Sequence, residues 1–349
     1  MKRAWGIDVS HWDVQFKGGP IIDYNPLIKL HPSFVFVKVT DGVSITPRHE
    51  EHIAAVQQSG LVLGLYHWFW PTMEVKSQVE AFGAKIDQFN PPIIVVDNEQ
   101  VYKSPDLGKK AKAGEIPMSE ALIPPDQISA KGREFMHLLH QRFPDKLLLN
   151  YTADWFVKTF CPPMGKWIND FPLWLAAYPY EKEARMVASW DEFVMLRDGL
   201  TEEMIQKRMP LNANQWLFWQ WGGDKLLLPA PYPKGFHVDL NVYNGTPEEF
   251  HARFGGQPGV SMEEVEMPEQ EEKSKEKALP TPDGVRYICN TGQLNIRSLP
   301  MVVEGNETGK FLFEGDEILV FEINGSWGRI DQIESLWVNV NHLKKVEVR

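Results

Sequence analysis

Eight short apolar runs recur through the first 254 residues, and their spacing constrains the fold more than any other feature of the sequence. Stretches with helical periodicity separate several of them, at 47–59, 75–89 and 129–143. Strands that are apolar almost throughout belong to parallel sheets covered on both faces by helices. Eight such strands within about 250 residues predict a closed β/α barrel. The predicted strands lie at 4–10, 34–42, 61–69, 91–99, 146–152, 172–178, 217–223 and 237–243.

Charge and hydropathy exclude several classes of partner. The net charge is −11 and no long basic run occurs, so we expect no nucleic-acid partner. No apolar run approaches the roughly 20 residues of a membrane span, so we expect no membrane insertion. Asp8 interrupts the start of the chain before an apolar stretch of signal-peptide length can form, and we therefore expect no signal peptide.

Cysteine and histidine spacing argues against a metal centre or a disulfide framework. Cys161 and Cys289 lie far apart in sequence, in different predicted domains. His11 and His67 lie near acidic residues, but no HxH or HxxxH spacing occurs, so packed or hydrogen-bonded histidines are favoured over metal ligands. We predict no metal and no cofactor. Lys38 lies within a strand and is expected to pair with an acid, either structurally or in a cleft.

The composition changes sharply after the predicted barrel. Between residues 263 and 277 the chain has seven Glu and three Lys and no aromatic residue, which is typical of an extended linker. The predicted organisation is therefore a barrel over 1–254, an acidic linker over 255–284 and a second domain over 285–349. In this last segment, short alternating strands with Gly and Asn turns predict a small all-β barrel.

Acidic side chains gather at the ends of the predicted strands. Asp8, Asp41, Asp97 and Glu99 each follow an apolar run, and this edge of a β/α barrel carries the active site. Residues i and i+2 of a strand share a face, so Asp97 and Glu99 should point into the barrel mouth together. Two carboxylates held close in a partly dry cleft do not both ionise freely. One pKa rises, and that group becomes a general acid near neutral pH.

Both predicted domains resemble known families. The motifs GIDVSHWD, GLYHWF, VVDNE, NYT, LWLAAY, FWQWGG and VDLNVYNGTPEEF occur in the order seen in family 25 glycoside hydrolases, the Chalaropsis-type lysozymes, across residues 4–254. The C-terminal motifs LNIRSLP, GDEILVF, SWGRI and LWVNVNHL resemble a bacterial SH3-like domain, a module that often binds the cell wall.

The family 25 resemblance implies an activity and a set of catalytic residues. These N-acetylmuramidases cleave the β-1,4 bond between N-acetylmuramic acid and N-acetylglucosamine in bacterial peptidoglycan, on a modified (β/α) TIM-like barrel. Their four cleft acids correspond to Asp8, Asp97, Glu99 and Asp239. The resemblance makes Glu99 the general acid and Asp97 the residue that holds the 2-acetamido oxygen of the substrate. Asp8 and Asp239 would bind sugar and tune the local field.

Aromatic and amide residues are expected to complete the sugar cleft. Tyr66 and Tyr151 would hydrogen-bond the acetamido group, and Gln220 would donate to a sugar oxygen. Trp174, with Trp219 or Trp221, would stack on pyranose faces. Asn98, Trp68 and Trp70 depart from the usual family pattern, and the segments 100–126 and 180–214 are longer than that pattern and are expected to shape the cleft wall or to cover the cleft.

Two other functions remain open at this point. One is a carbohydrate-binding protein on an inactive hydrolase barrel, which the presence of all four acids disfavours. The other is a metal-dependent polysaccharide deacetylase, whose activity would be sensitive to chelators. For the muramidase, we expect bacterial peptidoglycan as the partner and a monomeric protein. A phage lysin that waits in the host cytoplasm, or a bacterial enzyme exported by a non-standard route, would fit the expected absence of a signal peptide.

Overall fold

The computed structural model describes most of the chain, as two compact units over 1–266 and 267–349. The described residues are 2–14, 19–180, 185–233, 235–256, 285–291, 293–297, 307–313, 316–324, 327–330 and 337–345. The predicted linker lies outside them from residue 257 onward, so the domain limits at 254 and 285 stay predictions. Within the described ranges, no helix is long and apolar enough to cross a membrane.

The first unit is built on a closed barrel of eight strands, as the sequence predicts. Its strands and three short additional ones are β1 (Trp5–Val9), β2 (Phe34–Asp41), β3 (Ser44–Ile45), β4 (Val62–Trp68), β5 (Ile93–Asp97), β6 (Leu147–Ala153), β7 (Leu173–Ala176), β8 (Arg185–Met186), β9 (Phe218–Gly222), β10 (Leu226–Leu227) and β11 (Asp239–Tyr243). The barrel order is β1-β2-β4-β5-β6-β7-β9-β11, and β11 pairs with β1 to close it.

The last barrel strand runs in the opposite direction to the others. β11 pairs antiparallel with both β1 and β9, whereas the remaining barrel pairings are parallel. A strand that runs backwards begins at the edge where its neighbours end. Asp239, the first residue of β11, is therefore brought opposite Asp8 near the end of β1. A carboxylate at a strand start thus joins those at the strand ends.

Helices cover the outside of the barrel. They are α1 (Asn25–Ile28), α2 (His49–Gln58), α3 (Val75–Phe89), α4 (Pro105–Lys112), α5 (Met118–Ala121), α6 (Pro125–Arg142), α7 (Asp154–Thr159), α8 (Trp190–Asp198), α9 (Glu202–Gln206) and α10 (Pro247–Phe254), with a 3-10 turn at Pro162–Lys166. The three helices expected from periodicity correspond to α2, α3 and α6. Local sequence fixes several starts: Thr246 and Glu249 form a reciprocal capping box at α10.

Alternation along the strands separates an inner core from an outer one. On β5, Ile93 and Val95 pack inside the barrel, whereas Ile94 and Val96 pack under the helices. Since successive side chains of a strand point to opposite faces, Asp97 continues the inner row. Only the top of that row reaches the open barrel mouth, which is why acids there follow apolar residues deeper in the strand.

The inner core needs a glycine where a large ring crosses it. Phe36 on β2 is fully buried, and a side-chain carbon on Gly64 of β4 would lie 2.3 Å from its Cδ1 atom. Because Gly64 has no side chain, the Phe36 ring can occupy this space. Full burial of such a side chain stabilises the fold by about 1.5–3 kcal/mol relative to exposure.

The described part of the second unit is all-β apart from a single 3-10 turn. Its strands are β12 (Val285–Cys289), β13 (Gln293–Arg297), β14 (Glu307–Phe313), β15 (Glu317–Val320), β16 (Glu322–Asn324), β17 (Trp327–Arg329), β18 (Trp337–Asn339) and β19 (Leu343–Lys345). They form two sheets of antiparallel pairs, in the orders β15-β12-β19 and β14-β13-β18-β17-β16. The likeness to a bacterial SH3-like domain stays a prediction.

Candidate active site

The barrel mouth holds a cleft of about 840 Å³, formed where the parallel strands end. Eight of the side chains that the sequence analysis assigned to the site line it: Asp8, Tyr66, Asp97, Glu99, Tyr151, Trp174, Gln220 and Asp239. A volume of this size lies within the range of small-molecule binding sites. Residues from seven different strands and one loop are thereby brought together.

Asp97 and Glu99 face this cleft from the end of β5. Asp97 is 6% exposed, and its Oδ1 atom has no hydrogen-bond partner among the described residues. Within the same ranges, the buried Oε1 atom of Glu99 likewise has none. Buried carboxylate oxygens are normally paired, so two unpaired ones in a single cleft indicate a place prepared for a ligand.

Asn98 separates the two acids because it points the other way. Its amide nitrogen donates to Asn150 Oδ1 at 2.8 Å, and its Oδ1 lies on the side of α6 near Gly132. The backbone N–H of Asn98 donates to the carbonyl oxygen of Tyr151 and prolongs the β5–β6 pairing by one residue. Asn98, which departs from the family pattern, therefore fixes the end of β5 from the side opposite the cleft.

Burial alters the ionisation of both acids. The pKa of Asp97 is raised well above its ordinary range by burial and by the neighbouring Glu99 carboxylate, against the opposing effect of Lys38. Burial raises the pKa of Glu99 to about 7. The two groups titrate as a pair, and this pair retains a proton at pH values where isolated carboxyl groups have lost theirs.

A second acidic pair lies across the cleft at the β1–β11 seam. Asp8 Oδ2 accepts hydrogen bonds from Gln220 at 2.8 Å and from Asn241 at 2.7 Å. Asp239 also hydrogen-bonds to Asp8. Burial raises the pKa of Asp8 to about 7, although the hydrogen bonds from Asn241 and Gln220 lower it. A hydrogen bond between two carboxyl groups requires that one of them is protonated, so Asp8 and Asp239 share a proton when they are bonded to each other.

Hydrogen bonds link this second pair to the tyrosines of the cleft. Tyr151 donates to Gln220 Oε1 at 2.7 Å, and the Tyr178 hydroxyl donates to the same oxygen. Gln220 is 2% exposed, so its amide already serves Asp8 and two tyrosines. This geometry makes Gln220 an organiser of the cleft floor, and its expected hydrogen bond to a sugar oxygen stays a prediction.

The expected stacking tryptophans need correction. Trp219 and Trp221 are fully buried and do not line the cleft. Trp174 reaches the cleft but is 1% exposed, packs edge-to-face on Tyr151 with ring centres 4.5 Å apart, and donates to Asn241. A ring so covered has no free face for a sugar. The sequence shows aromatic residues near strand ends but not which of them stay exposed.

Lys38 pairs with an acid, as expected, and does so at the cleft wall. Its Nζ atom lies 2.7 Å from Asp41 Oδ2 and 4.8 Å from the centre of the Trp68 ring. Trp70 donates to the other oxygen of Asp41 at 2.5 Å. All four side chains line the cleft, so the two tryptophans that depart from the family pattern help to build this wall.

His67 is a packed core residue, as the sequence predicted. It stacks on Phe135 with ring centres 4.8 Å apart and exchanges hydrogen bonds with Thr40 and Gln78. Burial lowers its pKa to about 3, which keeps it neutral. Within the described ranges, no group of three His, Cys, Asp or Glu side chains is placed to hold a metal ion. Cys161 and Cys289 are buried free thiols.

A smaller hollow adjoins the cleft at Glu99. It has a volume of about 360 Å³ and is also lined by Asp154, Trp155, Tyr178 and Arg208. Trp155 is 51% exposed, and on the cleft side Trp12 is 79% exposed. Sequence reasoning missed these two rings, together with Tyr178 and Asn241. The LWLAAY and VDLN motifs contain the last two, but only the fold shows their bonds to Gln220 and Asp8.

The family model for the glycosyl hydrolases of family 25 matches residues 7–227, more than half of the chain. The Escherichia coli K12 protein YegX is 22% identical over 260 residues, which cover 72% of this chain and 73% of YegX.

Two solved structures are also similar. A muramidase from Acremonium alcalophilum is 18% identical, with a TM-score of 0.47, and the match covers 72% of this chain and 99% of that one. A bacterial lysozyme from Streptomyces coelicolor is 18% identical, with a TM-score of 0.47 over 73% of this chain and 98% of that one. The match to the family model is sufficient by its extent: this chain belongs to family 25 of the glycosyl hydrolases.

Proposed function

We propose that this protein is an N-acetylmuramidase that hydrolyses the β-1,4 bond between N-acetylmuramic acid and N-acetylglucosamine in bacterial peptidoglycan. The observation that carries the proposal is the pair of carboxyl groups at the end of β5. Asp97 and Glu99 face one sugar-sized cleft, each with a buried oxygen that has no partner among the described residues. Family 25 membership supports glycoside hydrolysis as the chemistry of that pair.

Glu99 is the proposed general acid. Its raised pKa, about 7, lets it keep a proton near neutral pH. It lines both the main cleft and the smaller hollow. A sugar in each would place the glycosidic oxygen between them, beside Glu99. Proton transfer to this oxygen lets the C1–O bond break without expelling a charged alkoxide.

Asp97 is the proposed partner of the substrate's own acetamido group. As the C1–O bond breaks, the acetamido carbonyl oxygen forms a bond to C1, and the resulting ring carries a positive charge. Asp97 accepts a hydrogen bond from the acetamide N–H and stabilises that charge. Water then attacks C1 and gives a proton to Glu99. The bond between C1 and the acetamido oxygen breaks, which restores the acetamide, and the configuration at C1 is retained.

The second acidic pair and the tyrosines support this reaction from the opposite side. Asp8, held by Gln220 and Asn241, has little freedom to move. Such a group orients a sugar hydroxyl at low entropic cost, because its own position is already fixed. Tyr66 lines the cleft between β2 and β5 and is proposed to hydrogen-bond the acetamido group with Tyr151.

The experiment that tests this proposal compares Glu99→Gln with Glu134→Gln. Glutamine keeps the shape of the side chain but cannot serve as the acid. We expect solubilisation of purified bacterial walls by Glu99→Gln to slow by at least about 100-fold, the usual worth of a general acid. Glu134 is an exposed residue of α6, so its variant should match the wild type.

Near-UV circular dichroism of both variants controls for folding. A folded Glu99→Gln protein with near-normal turnover would remove Glu99 from the mechanism. If the wild-type protein bound walls without solubilising them, the result would favour a carbohydrate-binding protein on a hydrolase barrel over an active hydrolase.

A further inference from the structure

Helix α4 forms one wall of the cleft and carries positive charge into it. The helix lies in the long segment after β5, starts after Ser104, whose side chain accepts from the Leu107 N–H, and ends at Lys112. Lys109 and Lys112 line the cleft beside Tyr102. This wall therefore faces the same space as Asp97 and Glu99.

The position of this wall is fixed by close packing. A side-chain carbon on Gly108 would lie 2.9 Å from Cγ of Tyr102, so the helix rests directly on the tyrosine ring. Tyr102 in turn forms a β-bridge with Leu122, which ties the two ends of the segment together. Lys112 Nζ lies 5.3 Å from the centre of the same ring. The lysines are thus presented on a supported helix.

The three lysines of α4 have different surroundings. Lys110 points away from the cleft lining and pairs with Asp106 at 3.0 Å. Lys109 and Lys112 are exposed, and neither forms a salt bridge with any residue that the structure describes. Two unpaired amines on a cleft wall attract an anionic group, and the low dielectric of a cleft strengthens the attraction.

We infer that Lys109 and Lys112 bind an anionic substituent of the glycan strand and so make the enzyme selective for substituted over bare glycan. This inference rests on the proposed function, since it concerns the substrate of the same cleft. A bare chain of N-acetylated hexosamines is neutral apart from the lactyl carboxylates of muramic acid. Carboxylates of attached peptides and phosphates of attached cell-wall polymers supply the negative charge that Lys109 and Lys112 would bind.

The test compares the double variant Lys109→Gln/Lys112→Gln with Lys110→Gln. Both keep the helix and remove positive charge, but only the double variant removes it from the cleft. Substrates are glycan fragments of equal length with and without their peptides, and walls with and without their phosphate polymers. Each is assayed for hydrolysis by the active enzyme. Equilibrium binding is measured in parallel on Glu99→Gln protein, which does not consume the ligand.

We expect the double variant to raise KM and Kd for the peptide-bearing fragment about tenfold while kcat stays unchanged, consistent with two partly exposed ion pairs. On the peptide-free fragment, whose anions are the lactyl carboxylates of the sugar itself, the loss should be clearly smaller, and Lys110→Gln should equal the wild type on both. Added salt should weaken wild-type binding of the substituted fragment more than that of the bare one. If phosphate is the anion recognised, the loss follows removal of the wall polymer instead of removal of the peptide.

Equal Kd values for the wild type and the double variant on every substrate would overturn the inference. So would an equal loss on bare and substituted glycan, because that would indicate a general defect of the cleft. If the wild type hydrolysed none of the substrates, the proposed function would fail. The binding measurements would still show whether Lys109 and Lys112 bind an anionic group.

Discussion

At the end of β5, two carboxyl groups are held where water solvates them poorly and where each opposes ionisation of the other. The cost of burying charge falls on the ionised forms, so the pair binds a proton more tightly than isolated carboxyl groups do. In the proposed mechanism, cleavage of the glycosidic bond requires a protonated Glu99 beside a buried Asp97. Sites tuned in this way exchange some folded-state stability for reactivity.

The pKa of about 7 at Glu99 predicts how activity varies with pH. The acid works only while protonated, and its pKa is raised, so the proton is present at neutral pH and lost above it. We expect kcat/KM on soluble glycan fragments to fall about tenfold per pH unit well above pH 7. A rate that stays level to pH 9, with the fold intact by circular dichroism, would contradict the role given to Glu99.

Residue types and strand ends were enough to predict that Asp8, Asp97 and Glu99 lie at the barrel mouth, whereas Asp239 was assigned from the family resemblance alone. Asp97 and Glu99 follow an apolar run and alternate with it, so their shared face can be deduced from period two alone. The burial of Trp174 cannot be deduced in this way, because Tyr151 covers its ring from another strand. Tyr178 and Asn241 were missed for a similar reason, since their partners lie far away in sequence.

At the scale of elements, the antiparallel β11 is the feature that completes the site. The eight strands could be predicted from apolar runs, whereas the direction of the last one could not, because a short buried strand reads alike in both directions. Its reversal places Asp239 opposite Asp8. The segment 100–126, whose length predicts a role in shaping the cleft, contains α4 and so contributes a cleft wall. In the other long segment, 180–214, Arg208 lines the adjoining hollow.

Gly223, which follows β9, tests how closely Asp239 must be held. A side-chain carbon at Gly223 would lie 2.6 Å from Asp239 Oδ1 and would displace the carboxylate. We expect Gly223→Ala to lower kcat/KM by about one to two orders of magnitude, since misplacement of a positioned group is costly. Activity assays on thermally characterised protein would measure it.

Gly222→Ala is the matched control for that substitution. It adds the same carbon one residue earlier, where the nearest atoms belong to Leu226 and Leu240 and not to an acid. It should reduce thermal stability yet leave kcat/KM of the folded protein close to wild type. Equal activities for the two variants would show that the position of Asp239 does not matter.

At the scale of the whole molecule, the chain divides into a barrel unit that contains every residue of the proposed site and a second unit, whose described residues form β-strands apart from one 3-10 turn. We propose that the second unit holds the enzyme on the cell wall. Deletion of residues 260–349 should leave a folded barrel with unchanged kcat on soluble glycan fragments. It should also lower the fraction that sediments with purified walls.

Sedimentation of the truncated protein at the wild-type level would remove the wall-binding role of the second unit. Loss of activity on soluble fragments would instead show that the barrel depends on the second unit for its fold. A thermal melt of the truncated protein separates that outcome from a direct effect on catalysis.

The identity of the bond that is cut tests the central proposal most directly. Purified walls would be digested with wild-type protein, the new reducing ends reduced with borohydride, and the fragments identified by mass spectrometry. A muramidase must place every new reducing end on N-acetylmuramic acid, so we expect the reduced form of that sugar alone. Reduced N-acetylglucosamine, or peptides released without any new reducing end, would contradict the proposal.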